Sequence, residues 1–482
     1  MSVDIVLATA CSSAKEEFGL LSAAGASRPP LNLLNLGAAL IENGYSVAVI
    51  DGVTAIGGLD EVVESIAALE PRFIGLTAMT ANIHGSSRMA ALLRKRMNKA
   101  PIIIGGIHVS TLPEETMSSF GSFDIGVVGE GENTLVELIK ALEKQEDISR
   151  IPGLVIRAKD GIRLTPPRAL ISGLDTLPLP AWHLLEDYVR KYQPTLSRKT
   201  RLPSAYIVTS RGCPYSCSFC NNIVHGRTFR SYSVDYIMNL VAHLVKAYGV
   251  RDLTIYDENL ALNRQRIIDL CRRLIDARYD LTWSCDARVD SVDDEMLGVM
   301  YKAGCRSIWF GMESGNAAVL ERYNKGIKLE DSRRAAGLTR KHKIKSSGSF
   351  IIGGPQEAVS TIRDTICFAK KIGLDYFVPY FYTPVPGTPD YNTIEQYGTA
   401  DLDYRSATMT QPTFAPRGMT IADVRNWYIR SLVCFYLRPR IIFNLAKEAG
   451  FTGLLRCGFS FLLNAINAIM MPQKNRRIKS SE

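Results

Sequence analysis

Ala205-Tyr-Ile-Val-Thr209, Ser210-Arg211-Gly212, then Cys213-Pro-Tyr-Ser-Cys217-Ser-Phe-Cys220: a short apolar run, a turn, and three cysteines within one octapeptide. The run reads as a strand and the cysteines as the loop that follows it. A C-x3-C-x2-C spacing on such a loop lets all three thiolates turn toward one point. Three soft ligands suit an iron–sulfur cluster, and on a four-iron cubane they leave one iron open to another ligand. Two other readings stay open on these residues alone: three unliganded thiols, or a zinc knuckle short of a ligand. Zinc sites usually carry paired C-x2-C units or nearby histidines. No second pair follows here, and His225 is the only histidine close by.

Outward from this strand, residues 202–391 repeat strand–helix units. Leu253-Thr-Ile-Tyr256, Leu281-Thr-Trp-Ser-Cys285, Ser307-Ile-Trp-Phe310, Ser347-Gly-Ser-Phe-Ile-Ile352 and Tyr376-Phe-Val-Pro-Tyr-Phe381 complete a set of six strands. The spacing predicts a partial parallel barrel, whose chemistry gathers at the carboxyl ends of the strands. Those ends carry Asp257-Glu258-Asn259, Asp286-Ala-Arg288, Gly311-Met-Glu313-Ser314-Gly315 and Gly353-Gly354-Pro355, with Glu357 beyond. Asp257 and Glu258 also fit a helix N-cap pair, and Arg288 a structural ion pair.

Residues 1–142 alternate apolar β-rich runs with amphipathic helices, the pattern of a doubly wound parallel sheet whose ligands sit beyond the strand carboxyl ends. The expected strands are Val3–Ala8, Tyr45–Ile50, Phe73–Ala78, Pro101–Gly105 and Ile125–Val128. Residues 143–201, with Pro166-Pro167 and Leu177-Pro-Leu-Pro, read as an extended connector. Residues 392–482 read as a helical region. The fold class is therefore α/β: a doubly wound Rossmann-like domain, a partial (β/α)6 barrel and a C-terminal helical region.

Composition fits an intracellular enzyme. The chain has 482 residues, 46% hydrophobic and 22% charged, enough for two or three cores. Its ten cysteines show no paired framework outside the triplet. The start Met1-Ser-Val-Asp-Ile lacks the pattern of a secretory signal, and the expected location is a reducing cytoplasm. The net charge of +9 is concentrated: after residue 424 ten Lys and Arg face only Glu448 and Glu482, an excess of eight. The first 424 residues are close to neutral, which argues against nucleic-acid binding. The apolar stretch Phe451 to Met471, flanked by Arg and Lys, is short for a bilayer span. It fits either a helix completing the core or peripheral membrane contact.

The cysteine octapeptide, with Phe219 before its last cysteine, resembles the cluster loop of the radical S-adenosylmethionine enzymes. The resemblance implies a [4Fe-4S] cluster on Cys213, Cys217 and Cys220 whose open iron chelates S-adenosylmethionine, an electron splitting the sulfonium to a 5′-deoxyadenosyl radical. It places Asp257 and Glu258 at the methionyl amine, Arg288 at the carboxylate, Glu313 and Ser314 at the ribose or carboxylate, and Gly353 and Gly354 beside adenine. It implies no catalytic protein side chain, and an electron donor such as flavodoxin or ferredoxin.

The amino-terminal loops resemble the cobalamin-binding domain found in one large class of these enzymes. The matching pieces are Pro29-Pro30-Leu-Asn-Leu-Leu, Gly75-Leu-Thr77-Ala-Met-Thr80, Gly105-Gly106-Ile-His108 and Gly129-Glu130-Gly131-Glu132. They imply cobalamin contacts from Thr77, Thr80, Gly105, Gly106, His108 and Glu130. The D-x-H-x-x-G loop that ligates cobalt in many such domains is missing, since the first histidine is His84. The expected function is C-methylation of an unactivated carbon in a hydrophobic or natural-product-like small molecule. An oxidative cyclase of the anaerobic magnesium-protoporphyrin ester type is the second reading, and a non-catalytic corrin or cluster sensor the third.

Overall fold

The computed structural model describes residues 3–11, 27–55, 57–97, 99–195 and 197–448. The stretch Phe451 to Met471 lies outside the described residues. Five strands open the chain: β1 (Ile5–Thr9), β2 (Val47–Asp51), β3 (Phe73–Thr77), β4 (Ile102–Gly105) and β5 (Ile125–Val127). They run parallel in the order β2-β1-β3-β4-β5. Successive side chains of a strand point to opposite faces, and β1 shows what that does. Ile5 and Leu7 join Leu33, Leu40, Leu138 and Ile139 from helices Leu31–Glu42 and Glu132–Glu143. Val6 and Ala8 join Val62, Ile66, Met89 and Leu93 from helices Gly58–Ala68 and Ile83–Arg96. Both faces are covered, which is why the strands read as nearly unbroken apolar runs.

The stretch read as a connector contributes more than an extended link. β6 (Leu154–Ala158) and β7 (Gly161–Leu164) add antiparallel to the free edge of β5, giving a seven-stranded sheet. Asp160-Gly161 at the hairpin tip, with Gly161 at φ +129°, is the turn signal that marks it. The prolines act only afterwards, from Pro166 onward.

The second sheet comprises β8 (Ser204–Ile207), β11 (Asp252–Ile255), β12 (Thr282–Ala287), β13 (Cys305–Glu313), β14 (Lys345–Ile352) and β15 (Tyr376–Phe381). All neighbours are parallel, in the order β15-β14-β13-β12-β11-β8. Between β8 and β11 lies a separate two-residue ladder of β9 (Ser210–Arg211) with β10 (Arg230–Ser231). Ala205, Ile207, Leu253, Ile255, Trp283, Cys285, Ile308 and Phe310 pack with the helices that connect the strands. The alternate positions are polar: Ser204, Tyr206, Thr254, Ser284 and Ser307 line the face away from the helices. Helix Val234–Tyr248 illustrates the local determinants. The Ser233 side chain accepts from the Tyr236 amide to start it, and Gly249 at φ +63° ends it.

A last ladder joins β16 (Gly398–Ala400) to β17 (Phe414–Pro416). Helix Ile421–Tyr436 then returns to the barrel. Its Tyr428 stacks on Phe381 at 4.1 Å and its Phe435 on Phe377 at 5.3 Å, so this helix is core. Among the described residues no helix is long and apolar enough to cross a membrane.

Candidate active site

The three cysteines sit on a loop whose stems are the β9–β10 ladder. Gly212, at φ +82°, lies where the stems close; a Cβ there would stand 2.3 Å from the Thr228 carbonyl oxygen. Only glycine fits that approach. Cys217 is buried, Cys213 half-buried and Cys220 exposed. Although Cys220 is exposed as a residue, desolvation by the protein packed around its sulfur pushes that thiol up to about 12, with Cys217 and Cys213 adding to the effect, and desolvation raises Cys213 as well. The three thiols thus feel one another, and a bound metal would deprotonate them outright. Among the described residues no three His, Cys, Asp or Glu side chains converge on a single-ion site. His225 is engaged with Glu258 at 3.0 Å.

Residues that sequence reasoning missed hold the loop in place. The Asn222 amide donates to the carbonyls of Cys213 (3.2 Å) and Tyr215 (3.4 Å) and accepts from the Cys220 thiol (3.1 Å). Asn324 donates to the Ser216 carbonyl at 2.9 Å, and the Ser218 amide donates to the Tyr323 carbonyl at 2.9 Å. Their signal in sequence is an asparagine in a turn, too common to single out.

The strand-end residues divide into two groups. Asp257 is 2% exposed and accepts from the Thr209 amide and hydroxyl, both at 2.6 Å, and from the Ser210 hydroxyl at 2.5 Å. Its carboxylate holds the start of the thiol-loop stem, with both oxygens engaged there. Its neighbour Glu258 is exposed, and its charge raises the Cys213 pKa. The alternation of side chains separates the two roles. Arg288 forks onto Asp290 at 3.0 and 2.9 Å, donates to the Lys325 carbonyl at 2.9 Å and lies 3.6 Å from the Tyr215 ring centre. Its fork is engaged by Asp290 and its plane covers Tyr215 of the thiol loop, the ion-pair arrangement that the sequence left open. Glu313, at φ +61°, pairs with buried Lys325 at 2.7 Å. Ser314, 0% exposed, bonds Thr365 at 3.1 Å and caps the Asn316 amide, which leaves it facing the protein. The Gly353 and Gly354 amides donate to Glu357 at 2.7 and 2.9 Å. Burial lifts Glu357 to about 7; its other oxygen has no protein partner.

The loops of the first sheet divide in the same way. At Gly105 a Cβ would meet nothing nearer than 4.0 Å, at Gly129 nothing within 4 Å, and Met79 beside them is 57% exposed. This crest at the ends of β3, β4 and β5 is a surface the protein itself does not fill, a fit to a flat apolar ring or its tail. Thr77 borders it and accepts from Asn32 at 3.2 Å. Gly106, at φ +102°, is glycine for an internal reason: a Cβ would stand 2.5 Å from the Ala78 carbonyl oxygen. Thr80 and His108 are buried, 3.4 Å apart, with the His108 ring 4.9 Å from Tyr404. Burial depresses His108 to about 4, so it stays neutral.

Glu130 takes a different part from the corrin contact read in the sequence. Its carboxylate accepts from Arg211 at 2.9 Å, from Arg230 at 3.0 and 2.9 Å, and from the Ile171 amide at 2.8 Å. Arg211 also reaches Glu132 at 2.6 Å. The side chains of Arg211, Glu130, Glu132 and Arg230 are 5, 3, 7 and 8% exposed. Two guanidiniums and two carboxylates therefore cancel in a dry seam between the first sheet and the stems of the thiol loop. Burial alone would raise the Glu130 pKa, but Arg230, the Ile171 amide and Arg211 outweigh it and hold the group ionised.

The site thus joins a doubly wound sheet with an open glycine crest to a parallel barrel that presents three thiols. Residues 19–139 match the B12 binding domain and residues 207–369 the radical SAM superfamily. An uncharacterised methyltransferase of Pyrococcus horikoshii is 30% identical over 90% of this chain and 94% of its own. The anaerobic magnesium-protoporphyrin IX monomethyl ester cyclase of Cereibacter sphaeroides is 27% identical over 90% of this chain and 72% of its own. The methyltransferase TsrM from Kitasatospora setae, solved with cobalamin and a [4Fe-4S] cluster, superposes with a TM-score of 0.71 at 18% identity, covering 98% of this chain and all of that one. The chain belongs to the radical S-adenosylmethionine enzymes that carry a cobalamin-binding domain. Its cofactors are cobalamin, a [4Fe-4S] cluster and S-adenosylmethionine.

Proposed function

We propose that the protein is a methyltransferase acting on an unactivated carbon of a small, largely hydrophobic molecule. The carrying observation is the buried seam. Arg211, two residues before Cys213, is fixed to Glu130 and Glu132 at the loop beyond β5, so the thiol loop and the Gly105–Gly129 crest lie at one junction. When bound, the cluster and S-adenosylmethionine supply a radical that abstracts hydrogen from carbon, and cobalamin supplies the methyl group. This chain's residues bind and orient. Cys213, Cys217 and Cys220 would hold the cluster, the exposed Glu258, paired through one oxygen with His225, would accept from the methionyl amine, and the Gly353–Gly354 turn, fixed by Glu357, would seat adenine. The crest would take the corrin, while Asp257, Arg288, Asn222 and Asn324 keep the thiol loop rigid.

Anaerobic preparations should carry about four irons per chain and convert S-adenosylmethionine to 5′-deoxyadenosine. Cys217→Ala should lose both. Absence of 5′-deoxyadenosine from the loaded wild-type protein would favour a sensor and end the enzyme reading. The second reading, oxidative ring closure, has its support in the similarity to the magnesium-protoporphyrin cyclase across 90% of the chain. Deuterated S-adenosylmethionine separates the two: a methyltransferase product gains the labelled methyl, whereas a cyclised product gains none.

Reduction calls for a small electron-transfer protein such as flavodoxin or ferredoxin, in the cytoplasm. The tail supports peripheral membrane contact: Leu437 and Phe443, 68 and 71% exposed, flank Arg438 and Arg440. Cosedimentation with anionic vesicles at low salt, lost on removing residues 451–482, is the expected result. An intact protein that ignores anionic vesicles would end the idea.

A further inference from the structure

The polar face of the barrel sheet holds an arginine pair set among aromatic rings. Arg198, on the chain leading into β8, is 9% exposed. Its Nη2 donates to Asp286, and its guanidinium lies 4.4 Å from the centre of the Trp309 ring and 5.7 Å from that of Tyr256. Its Nη1 has no partner. Arg28 arrives from the first sheet's side, donates to the Tyr256 hydroxyl at 2.7 Å and lies 5.0 Å from that ring's centre. The Arg28 pKa stays above the usual arginine value despite desolvation, with Asp286 among the groups that raise it. Both Arg28 and Tyr256 keep exposed surface within this ring of groups.

Two guanidiniums face one carboxylate, Asp286, leaving a surplus of one positive charge. The phenols of Tyr206 and Tyr380 are pushed up to about 12 by burial and remain neutral. A buried donor without a partner destabilises the fold, and a planar anion would satisfy it through charge-assisted hydrogen bonds. Trp309, Tyr256, Tyr206 and Tyr380 offer ring faces to the rest of such a molecule.

We propose that Arg28 and Arg198 form the anion-binding end of the substrate pocket, and that the substrate is an aromatic or conjugated molecule bearing one carboxylate. This rests on the reading above in which the barrel mouth is the reaction chamber, and it narrows a hydrophobic substrate to an amphiphilic one. Because Arg28 comes from the first sheet's side and Arg198 from the barrel, the carboxylate would bridge the two halves of the chain.

The test is equilibrium dialysis of the anaerobic full-length protein, loaded with cluster and cobalamin, against 2-naphthoate, 2-naphthamide and 2-naphthyl phosphate. Naphthoate should bind at least tenfold more tightly than the uncharged amide. Arg28→Gln, at an exposed residue, should shrink that preference to less than threefold. So should Arg198→Gln combined with Asp286→Asn, which removes both members of the buried pair and leaves no lone charge. Equal binding of acid and amide, no binding of either at millimolar concentration, or a preference for the phosphate would overturn the proposal. Formation of 5′-deoxyadenosine by the wild-type protein without substrate reports on the radical reading separately, so the two can fail independently.

Discussion

Replacing Glu130 by Gln removes one negative charge from a buried group of four whose charges otherwise cancel. The carboxylate meets four N–H contacts at 2.8–3.0 Å. A glutamine keeps one acceptor oxygen and turns its NH2 toward donors, so at least one guanidinium is left facing another donor. Breaking a buried ion pair by removing one partner costs about 3–5 kcal/mol, equivalent to roughly 6–20 °C for a unit of 150–250 residues. The assay is thermal unfolding of the loaded protein with iron retention followed in parallel, since Arg211 leads directly into Cys213. Arg230→Met combined with Glu130→Gln should cost less than the sum of the single changes, as coupled partners do. The reasoning is refuted if Glu130→Gln melts within about 1 °C of wild type, well inside the scale set above. Weakened cobalamin binding at unchanged stability would return Glu130 to the corrin contact read from sequence.

Three further outcomes follow from the same geometry. Asp257→Asn should lower stability and iron content, whereas Glu258→Gln should spare folding and raise the KM for S-adenosylmethionine; the reverse pattern would exchange their roles. Gly106→Ala should cost about 1–3 kcal/mol from its backbone conformation alone, with the contact on Ala78 added, while Gly105→Ala should fold normally and weaken cobalamin binding. Glu357 has a folded-state pKa of about 7 against an ordinary 4.5, so it favours folding below pH 4.5 and that contribution is lost as pH rises through 7. Glu357→Gln should therefore flatten the fall in melting temperature between pH 5 and pH 8; an unchanged slope would show that another group is responsible.

The sheets and the thiol loop were legible because they rest on local pattern: unbroken apolar runs, strand-end glycines and a cysteine spacing. The β6–β7 hairpin was equally local, but its Asp160-Gly161 signal was hidden by the proline-rich text after it. Roles at strand ends were harder. Asp257 and Glu258 are adjacent and chemically alike, and only the direction of each side chain separates the stem clamp from the open carboxylate. The family resemblance put Arg288 and Glu130 at ligand contacts. Their partners, Asp290 for one and Arg211 and Arg230 for the other, are fixed by tertiary approach, which no spacing rule reports.

The β16–β17 stretch after the barrel has a bearing on how this architecture can be recombined. Between those strands Tyr404 donates to Glu115 at 2.5 Å and packs on His108, while the Met409 carbonyl accepts from the Phe381 amide at 3.2 Å on the edge of β15. One short segment thus reads the surface of both halves. A chimera that exchanges only residues up to the barrel would pair a foreign sheet with a native 404–409 segment and mismatch His108 and Glu115. The transferable part is the sheet together with this distant strip of sequence. Crossovers placed at the apparent boundary between the halves should produce misfits even where each half folds.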